Sequence, residues 1–445
     1  MVQPTAVPIE QLGAADIVRG VTDGAFSPVD VIEAALDRIG AIEGKVQAWS
    51  LLDADGARAQ AAAVTADLAA GKAPGPLAGV PVGIKDEFHV RGMPTGMRGT
   101  GELPIEPEDA TCVARLRAAG AIIMGKTHLP VQGRIPPTRN PWNLEHTAGG
   151  TSSGSGAAVG ARMVPVAIGE QTAGSNMRPA AYCGVAGIKP SYGRISRFGC
   201  MPFAWSIDHV GIIGLSVADL ALVLSVIAGP DPRDPTTLPD PAPQADLDAP
   251  SIRPPRIGVV RNFFLERSEP VMRDAVEDAT SRLKEAGAAV GDLLLPDTFG
   301  LTWHLHRIIG GAEGSTYHAA DHDERALPGS GGRVGSLLPA SYYVQARRIR
   351  SWLRVALAEM FADVDVMAMP TAPGPAPRGQ STGDAVLLRP WSLLGFPTVT
   401  VPCGLSPEGL PLGLQLVGAP RADYGLLRVS LWCEQALGRL PAPRV

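Results

Sequence analysis

Three stretches of this chain hold side chains able to do covalent or acid–base chemistry. The first, Gly79-Val80-Pro81-Val82-Gly83-Ile84-Lys85, is a short apolar run closed by a lysine. It reads as a buried strand. Burial disfavours an ammonium and lowers its pKa, and a neutral amine can act as a general base. The plainer alternative pairs Lys85 with Asp86 or Glu87 at the surface. The second stretch, Thr172-Ala173-Gly174-Ser175, is a turn of small residues. Such residues let backbone N–H groups converge on one point, as an oxyanion requires. It is not the G-x-S-x-G elbow, so an α/β-hydrolase is not indicated. A serine in a glycine turn is also ordinary turn chemistry. The third stretch, Gly149 to Gly156, lacks the Gly-Lys-Ser/Thr of a phosphate loop and otherwise reads as a loop allowing close backbone approach.

Histidines offer weaker patterns. His89, His128, His146 and His209 lie near these segments, and nothing in the sequence selects one for a triad. His318 and His322 stand four apart, with Asp321 between them and Glu313 upstream. On a helix they would share a face, but the pattern is not HExxH, and solvated or helix-end histidines account for it.

These residues need elements to position them. Ser27 can cap a helix, Pro28 suits its first position, and Asp30 complements its positive end. Val29, Ile32, Leu36 and Ile39 then recur at helical spacing. Ala57 to Ala70 and Ala110 to Ala119 read as helices, the second closed by Gly120, with a strand from Ala121 to Met124. Beyond the Gly/Ser loop, a small-residue helix is expected at Ala157 to Ala161 and a strand at Val164 to Ile168. Ser216 to Ala228 and Glu269 to Ala286 read as helices. Ile257–Val260, 364–369, 398–401 and 413–417 read as strands. The alternation predicts α/β topology. Segment 229–250 is rich in Pro and Asp and reads as a surface crossover rather than a domain boundary.

Composition narrows the class. The 445 residues carry a formal charge of −5, and no basic arm stands out, which argues against a nucleic-acid partner. Hydrophobic residues at 45% and charged residues at 19% describe a globular chain with a large core. Five scattered cysteines without a CxxC suggest neither disulfides nor zinc. With no apolar run of about 18 residues and no signal-peptide pattern, the expected compartment is the cytoplasm.

Taken together, these segments resemble the amidase signature family. The resemblance runs through Gly79 to Asp86, Ala118 to Thr127, Thr138 to Asn143, Gly149 to Ala158, Gly169 to Gly193 and Gly409 to Gly418. It implies one α/β domain over residues 1–445, with a large mixed sheet covered by helices on both faces. It also implies amide hydrolysis by a Ser–Ser–Lys triad. Lys85 matches the catalytic lysine and Ser175 the nucleophile. The bridging serine, held in the family by a cis peptide, falls on Thr151, which keeps the hydroxyl but adds a methyl and a stiffer χ1. Ser152 is the neighbour that would serve if the loop shifted by one. The implied relay passes a proton from Ser175 to Thr151 to Lys85, while the N–H groups of Thr172, Ala173, Gly174 and Ser175 hold the oxyanion. No metal or organic cofactor is implied.

Ala173 replaces a family glycine, which is harmless unless its φ is positive. Gln171 stands at a position usually held by Asp, as in malonamidase-like relatives. Arg178, three residues after the nucleophile, is placed to meet a substrate carboxylate or to serve as scaffold. Trp205, Tyr342, Tyr343 and Trp391 are candidates for pocket walls or core. Arg178, Gln171 and Trp205 are thus the expected substrate-binding residues. The expected partner is a small-molecule amide, with no nucleic acid, no membrane and an allowed homodimer. An acyl-transfer member, such as a tRNA amidotransferase subunit or an amide synthase, is the alternative. A non-catalytic binding relative is a third reading.

Overall fold

Alternation along the strands decides the layering. In β2 (Pro81–Lys85), β3 (Ile122–Thr127), β6 (Val166–Gln171) and β8 (His209–Gly214), successive apolar side chains point to opposite faces. Val82, Ile84, Ile123, Val166, Ile168 and Ile212 join one buried cluster; Ile122, Met124, Ala167 and Ile213 join another. Both faces are therefore buried, and both need helices. The computed structural model describes residues 8–98, 103–131, 134–242, 253–320 and 335–445, with backbone alone at 98 and 318–320.

Eleven strands form one mixed sheet among the described residues. The others are β1 (Trp49–Leu52), β7 (Ala186–Lys189), β9 (Arg256–Val260), β10 (Ala289–Leu293), β11 (Val366–Pro370), β12 (Thr398–Leu405) and β13 (Pro411–Val417). Their order is β1-β3-β2-β6-β8-β7-β12-β13-β11-β9-β10. A small hairpin, β4 (Arg139–Asn140) and β5 (Asn143–Thr147), stands apart. β2 lies parallel to both β3 and β6, and β8 runs antiparallel to β6 and β7. The chemistry-bearing strands are thus central.

One face is covered by α1 (Ala14–Thr22), α4 (Thr111–Ala118), α7 (Val217–Ile227), α8 (Pro270–Glu285) and α12 (Asp423–Leu437). On the other, α2 (Pro28–Val46), α3 (Ala54–Ala69), α5 (Ser153–Gly160) and α6 (Met177–Tyr182) pack at one end of the sheet. At the opposite end lie α9 (Thr302–Ala320), α10 (Ala340–Glu359) and α11 (Arg389–Leu394). This is the mixed sheet with helices on both faces that the resemblance implied.

Local signals explain several boundaries. Ser27 Oγ accepts from Asp30 N (3.2 Å) while Asp30 Oδ2 accepts from Ser27 N (2.8 Å), a reciprocal cap on α2. Ser216 caps α7 through Asp219 N. The Gly/Ser stretch departs from expectation. The helix expected at Ala157 begins at Ser153, because buried small residues let its first turn pack beneath the sheet. Within the Pro/Asp-rich crossover, residues 229–242 are described, and Leu238 N donates to Gly193 O (2.8 Å).

Asp423 anchors α12. Its carboxylate accepts from Ser191 N (2.6 Å) and Arg194 Nε (3.0 Å), with both side chains of the ion pair buried. Asp423→Ala strands a buried guanidinium and is expected to cost about 3–5 kcal/mol. Urea denaturation reads this, and an unchanged midpoint would show that the pair holds nothing together.

Candidate active site

Strand β2 carries Lys85 into the middle of the sheet, where its side chain is 0% exposed. Its ammonium lies 2.8 Å from Thr151 Oγ1, 2.9 Å from Glu87 Oε1 and 3.4 Å from Glu170 Oε2. Burial by itself lowers the lysine pKa, but Glu87 and Glu170 outweigh it and hold the group above the ordinary lysine range. This corrects the expectation of a neutral amine: the resting Lys85 is a paired ammonium. Asp86 turns the other way, to Lys126 (2.7 Å), Ser50 Oγ (2.8 Å) and Gly96 N (2.9 Å).

Thr151 arrives on the loop before α5. Gly149 and Gly150 have φ of 81° and 64°, a region that disfavours side chains. A Cβ on Gly150 would also stand 2.7 Å from Ser175 O. Ser152 N donates to that same Ser175 carbonyl (3.0 Å), tying the loop to the Ser175 turn. Ser152 Oγ is occupied by the Glu170 backbone, accepting from its N–H and donating to its O, both at 3.2 Å. Of the two candidate bridging hydroxyls, Thr151 is therefore the one on Lys85. The described peptide bonds are all trans, including Gly150–Thr151, unlike the cis bond of the resemblance.

The turn that carries Ser175 follows β6. Ala173 does not adopt a positive φ, so the alanine is unstrained there. Among the described residues, no hydrogen bond engages the amides of Ala173, Gly174 or Ser175. Four side chains pin the turn. Gln171 Oε1 accepts from Asn176 N (3.1 Å) and Met177 N (3.0 Å), and its Nε2 donates to Ser392 Oγ (3.0 Å). Ser392 Oγ in turn donates to Ala173 O (2.9 Å). His306 Nε2 donates to Thr172 O (2.9 Å), and burial pushes that imidazole down to about 4, so it is neutral. Asn176 Nδ2 bonds Ile188 O (3.0 Å) and Ile212 O (3.3 Å) in a cradle open only because residues 169 and 211 are glycines.

Thr172 Oγ1 sits between two buried carboxyls, Glu170 Oε1 (2.9 Å) and Asp208 Oδ1 (2.7 Å). A hydroxyl has one proton, so both contacts are hydrogen bonds only if one carboxyl is protonated. Burial, with Glu170 beside it, pushes the Asp208 carboxyl up to about 7.

Other expected residues are placed as follows. Gln171 is fully buried beneath the turn, which corrects its expected place on a substrate. Arg178 is buried and donates to Gly383 O (2.9 Å), the scaffold alternative, with its Nε unpartnered among the described residues. Trp205 is 42% exposed, edge-on to Tyr317. Trp391 is core, stacked on Phe264, rather than a pocket wall. Tyr342 is exposed, and Tyr343 donates to Glu313 Oε1 (2.8 Å). His209 is buried with Nδ1 on Ile207 O (2.6 Å). The side chains of His318, Asp321 and His322 lie outside the described residues. His306, Asn176, Glu170 and Asp208 were not singled out from sequence, and Glu87 was considered only as a surface partner of Lys85; the glycines at 169 and 211, within strands, were the signal available for Asn176.

The amidase family model matches residues 30–427. A glutamyl-tRNA(Gln) amidotransferase subunit from Roseiflexus castenholzii is 39% identical over 95% of both chains. A solved inhibitor-bound structure, described as a vestigial complex revealing the origins of an s-triazine catabolic enzyme, superposes with a TM-score of 0.89. It is 32% identical over 97% of this chain and 100% of that one. A peptide amidase bound to chymostatin gives a TM-score of 0.86 at 29% identity over 99% and 100%. The relative named for a tRNA-linked reaction corrects the expected partners: a small-molecule amide with no nucleic acid does not describe it. No described helix is long and apolar enough to cross a membrane. The motifs, the mixed sheet and the matched 30–427 span lead to one conclusion: this chain belongs to the amidase family.

Proposed function

We propose that this chain cleaves a carboxylic amide through a Ser175 acyl-enzyme, as the amide-processing component of an amidotransferase that serves a tRNA-linked acceptor. The observation that carries the chemistry is the 2.8 Å bond between Lys85 and Thr151, on a loop tied to Ser175 by the 3.0 Å backbone bond from Ser152. The likeness to the Roseiflexus amidotransferase component over 95% of both chains supports the assembly and the acceptor.

In this reading Ser175 Oγ attacks the amide carbonyl as its proton passes to Thr151 and the proton of Thr151 passes to Lys85. The amides at 173–175 take the oxyanion, each such preorganised donor being worth about 3 kcal/mol of barrier. The relay then runs backward and protonates the leaving nitrogen, which goes to the acceptor, and water cleaves the acyl-enzyme to regenerate Ser175. A second reading, in which the leaving nitrogen is simply released and not passed to an acceptor, is supported by the likeness to a peptide amidase.

Intact-protein mass after fluorophosphonate treatment tests the nucleophile. Wild type is expected to gain one adduct, Ser175→Ala none, and Lys85→Ala to label about a hundredfold more slowly. An equal adduct on Ser175→Ala would remove the assignment. Thr151→Ser should keep or raise the labelling rate. Gly150→Ala should slow it by about tenfold or more without unfolding, because the added Cβ displaces the loop from Ser175 O. An amide panel carrying heavy nitrogen separates the two acceptors. Label appearing in aminoacyl-tRNA with the assembled enzyme supports transfer; ammonia released at one rate with or without glutamyl-tRNA supports hydrolysis.

A further inference from the structure

We propose that Glu87 is the positioning residue that takes the proton off Lys85, freeing the amine to act as base toward Thr151. This rests on the acyl-enzyme reading above and goes beyond it, because the relay as drawn needs a lone pair that a paired ammonium lacks. The 2.8 Å contact with Thr151 has Lys85 donating in the resting state, the wrong direction for a base. The proton must leave Nζ before Thr151 can deliver another.

Two acceptors lie within reach, and they are not equivalent. Glu170 is already engaged: Oε1 accepts from Thr172 (2.9 Å), and Oε2 stands farther from the ammonium, at 3.4 Å. Glu87 Oε1 is nearer, at 2.9 Å, and has no other partner among the described residues. It lies in the turn directly after β2, and the Glu87 backbone is fixed by Glu87 N donating to Lys85 O (2.8 Å) and Met201 N donating to Glu87 O (3.0 Å). Glu87 Oε1 thus stands 2.9 Å from Nζ with no hydrogen bond committed elsewhere among the described residues. Both groups are buried, so the charged pair has lost its hydration, which narrows its advantage over the neutral pair of amine and carboxylic acid.

The step balances. The Lys85 ammonium gives its proton to Glu87 Oε1, leaving an amine and a carboxylic acid. Thr151 then gives its proton to that amine and receives the Ser175 proton. Ser175 Oγ forms its bond to the carbonyl carbon, and the carbonyl π pair moves to oxygen. One negative charge leaves Glu87 and reappears on the oxyanion.

The charged and titratable groups facing Glu87 are Lys85, Glu170, Asp208 and the Cys200 thiol, with Lys126 more distant. Burial is the main cause that pushes the Glu87 carboxyl up to about 8; Lys85 opposes it, and Glu170 and Asp208 add to it. The sign follows. Below that pH Glu87 already carries a proton and cannot accept another; above it the carboxylate is available. The chemical step should therefore switch on as pH rises through about 8.

The test is the rate of Ser175 adduct formation with a fluorophosphonate, followed by intact mass from about pH 6 to about pH 10, for wild type and Glu87→Gln, with circular dichroism as a folding control. Wild type should show a rising limb centred near the Glu87 value. Glu87→Gln should lose that limb and label about tenfold or more slowly on the alkaline side. A Glu87→Gln profile identical to wild type overturns the inference. So does faster labelling with the limb moved to lower pH, which would mean that Glu87 only keeps the ammonium charged. If Glu87→Gln does not fold, a flat wild-type profile across the same range overturns it. No adduct on folded wild type at any pH would instead remove the acyl-enzyme reading itself, and the inference with it.

Discussion

A fully buried ammonium is the constraint around which the centre of this sheet is arranged. Lys85 is fully shielded from solvent, so its charge must be met by protein groups in fixed places. They come from three segments: Glu87 from the turn that ends β2, Glu170 from β6, and Thr151 from the loop into α5. Asp208, just before β8, joins through Thr172. Slipping β6 by one residue against β2 would turn Glu170 to the opposite face and leave the lysine half-paired. The register of β2, β6 and β8 and the electrostatics of the site are therefore the same constraint seen twice.

A second level of order lies in the turn holding Ser175. An oxyanion needs backbone donors that are already aimed and not otherwise employed. A turn with free amides has given up hydrogen bonds and must be held by other means. Here the carbonyls supply the hold: Ser392 bonds the carbonyl of Ala173 and His306 that of Thr172, while Gln171 and Asn176 fix the chain on either side. None of these side chains needs to touch a substrate. Their burial explains why Gln171 stands beneath the turn and not in the pocket, since every polar atom it commits to the turn is unavailable outside.

Local patterns made much of the fold legible. The Ser27-Pro28-Asp30 cap, the lysine-ended apolar run and the strand at Val164 to Ile168 are short-range signals, and the corresponding elements are α2, β2 and β6. What escaped was long-range. The sequence shows Asp86 and Glu87 next to Lys85 but not that strand pleating and the following turn send Asp86 to Lys126 and Glu87 to Lys85. Burial of the lysine was foreseen, yet the direction of its pKa shift depended on Glu87 turning back toward it and on Glu170, 85 residues away. The start of α5 was misplaced because glycine and serine, poor helix formers by propensity, are retained there for close packing. The expectation against nucleic acid failed for another reason: net charge describes one chain's surface, whereas one component of an assembly can leave contact with an acceptor to its partners.

Thr151 shows how these levels meet. The added methyl restricts χ1, so the hydroxyl samples fewer directions than a serine's would. In a loop free to adjust this would be a handicap. Here Gly149 and Gly150 shape the backbone, the following residue, Ser152, is bonded to Ser175 O and to the Glu170 backbone, and Thr151 Oγ1 lies 2.8 Å from Lys85. In the proposed relay, a rotor already confined toward Lys85 loses little further entropy, so the added methyl costs little. The same stiffness leaves the hydroxyl unable to follow Lys85 if the cage shifts. A threonine bridge therefore suits a lysine whose position is fixed by two glutamates, and each feature makes the other tolerable.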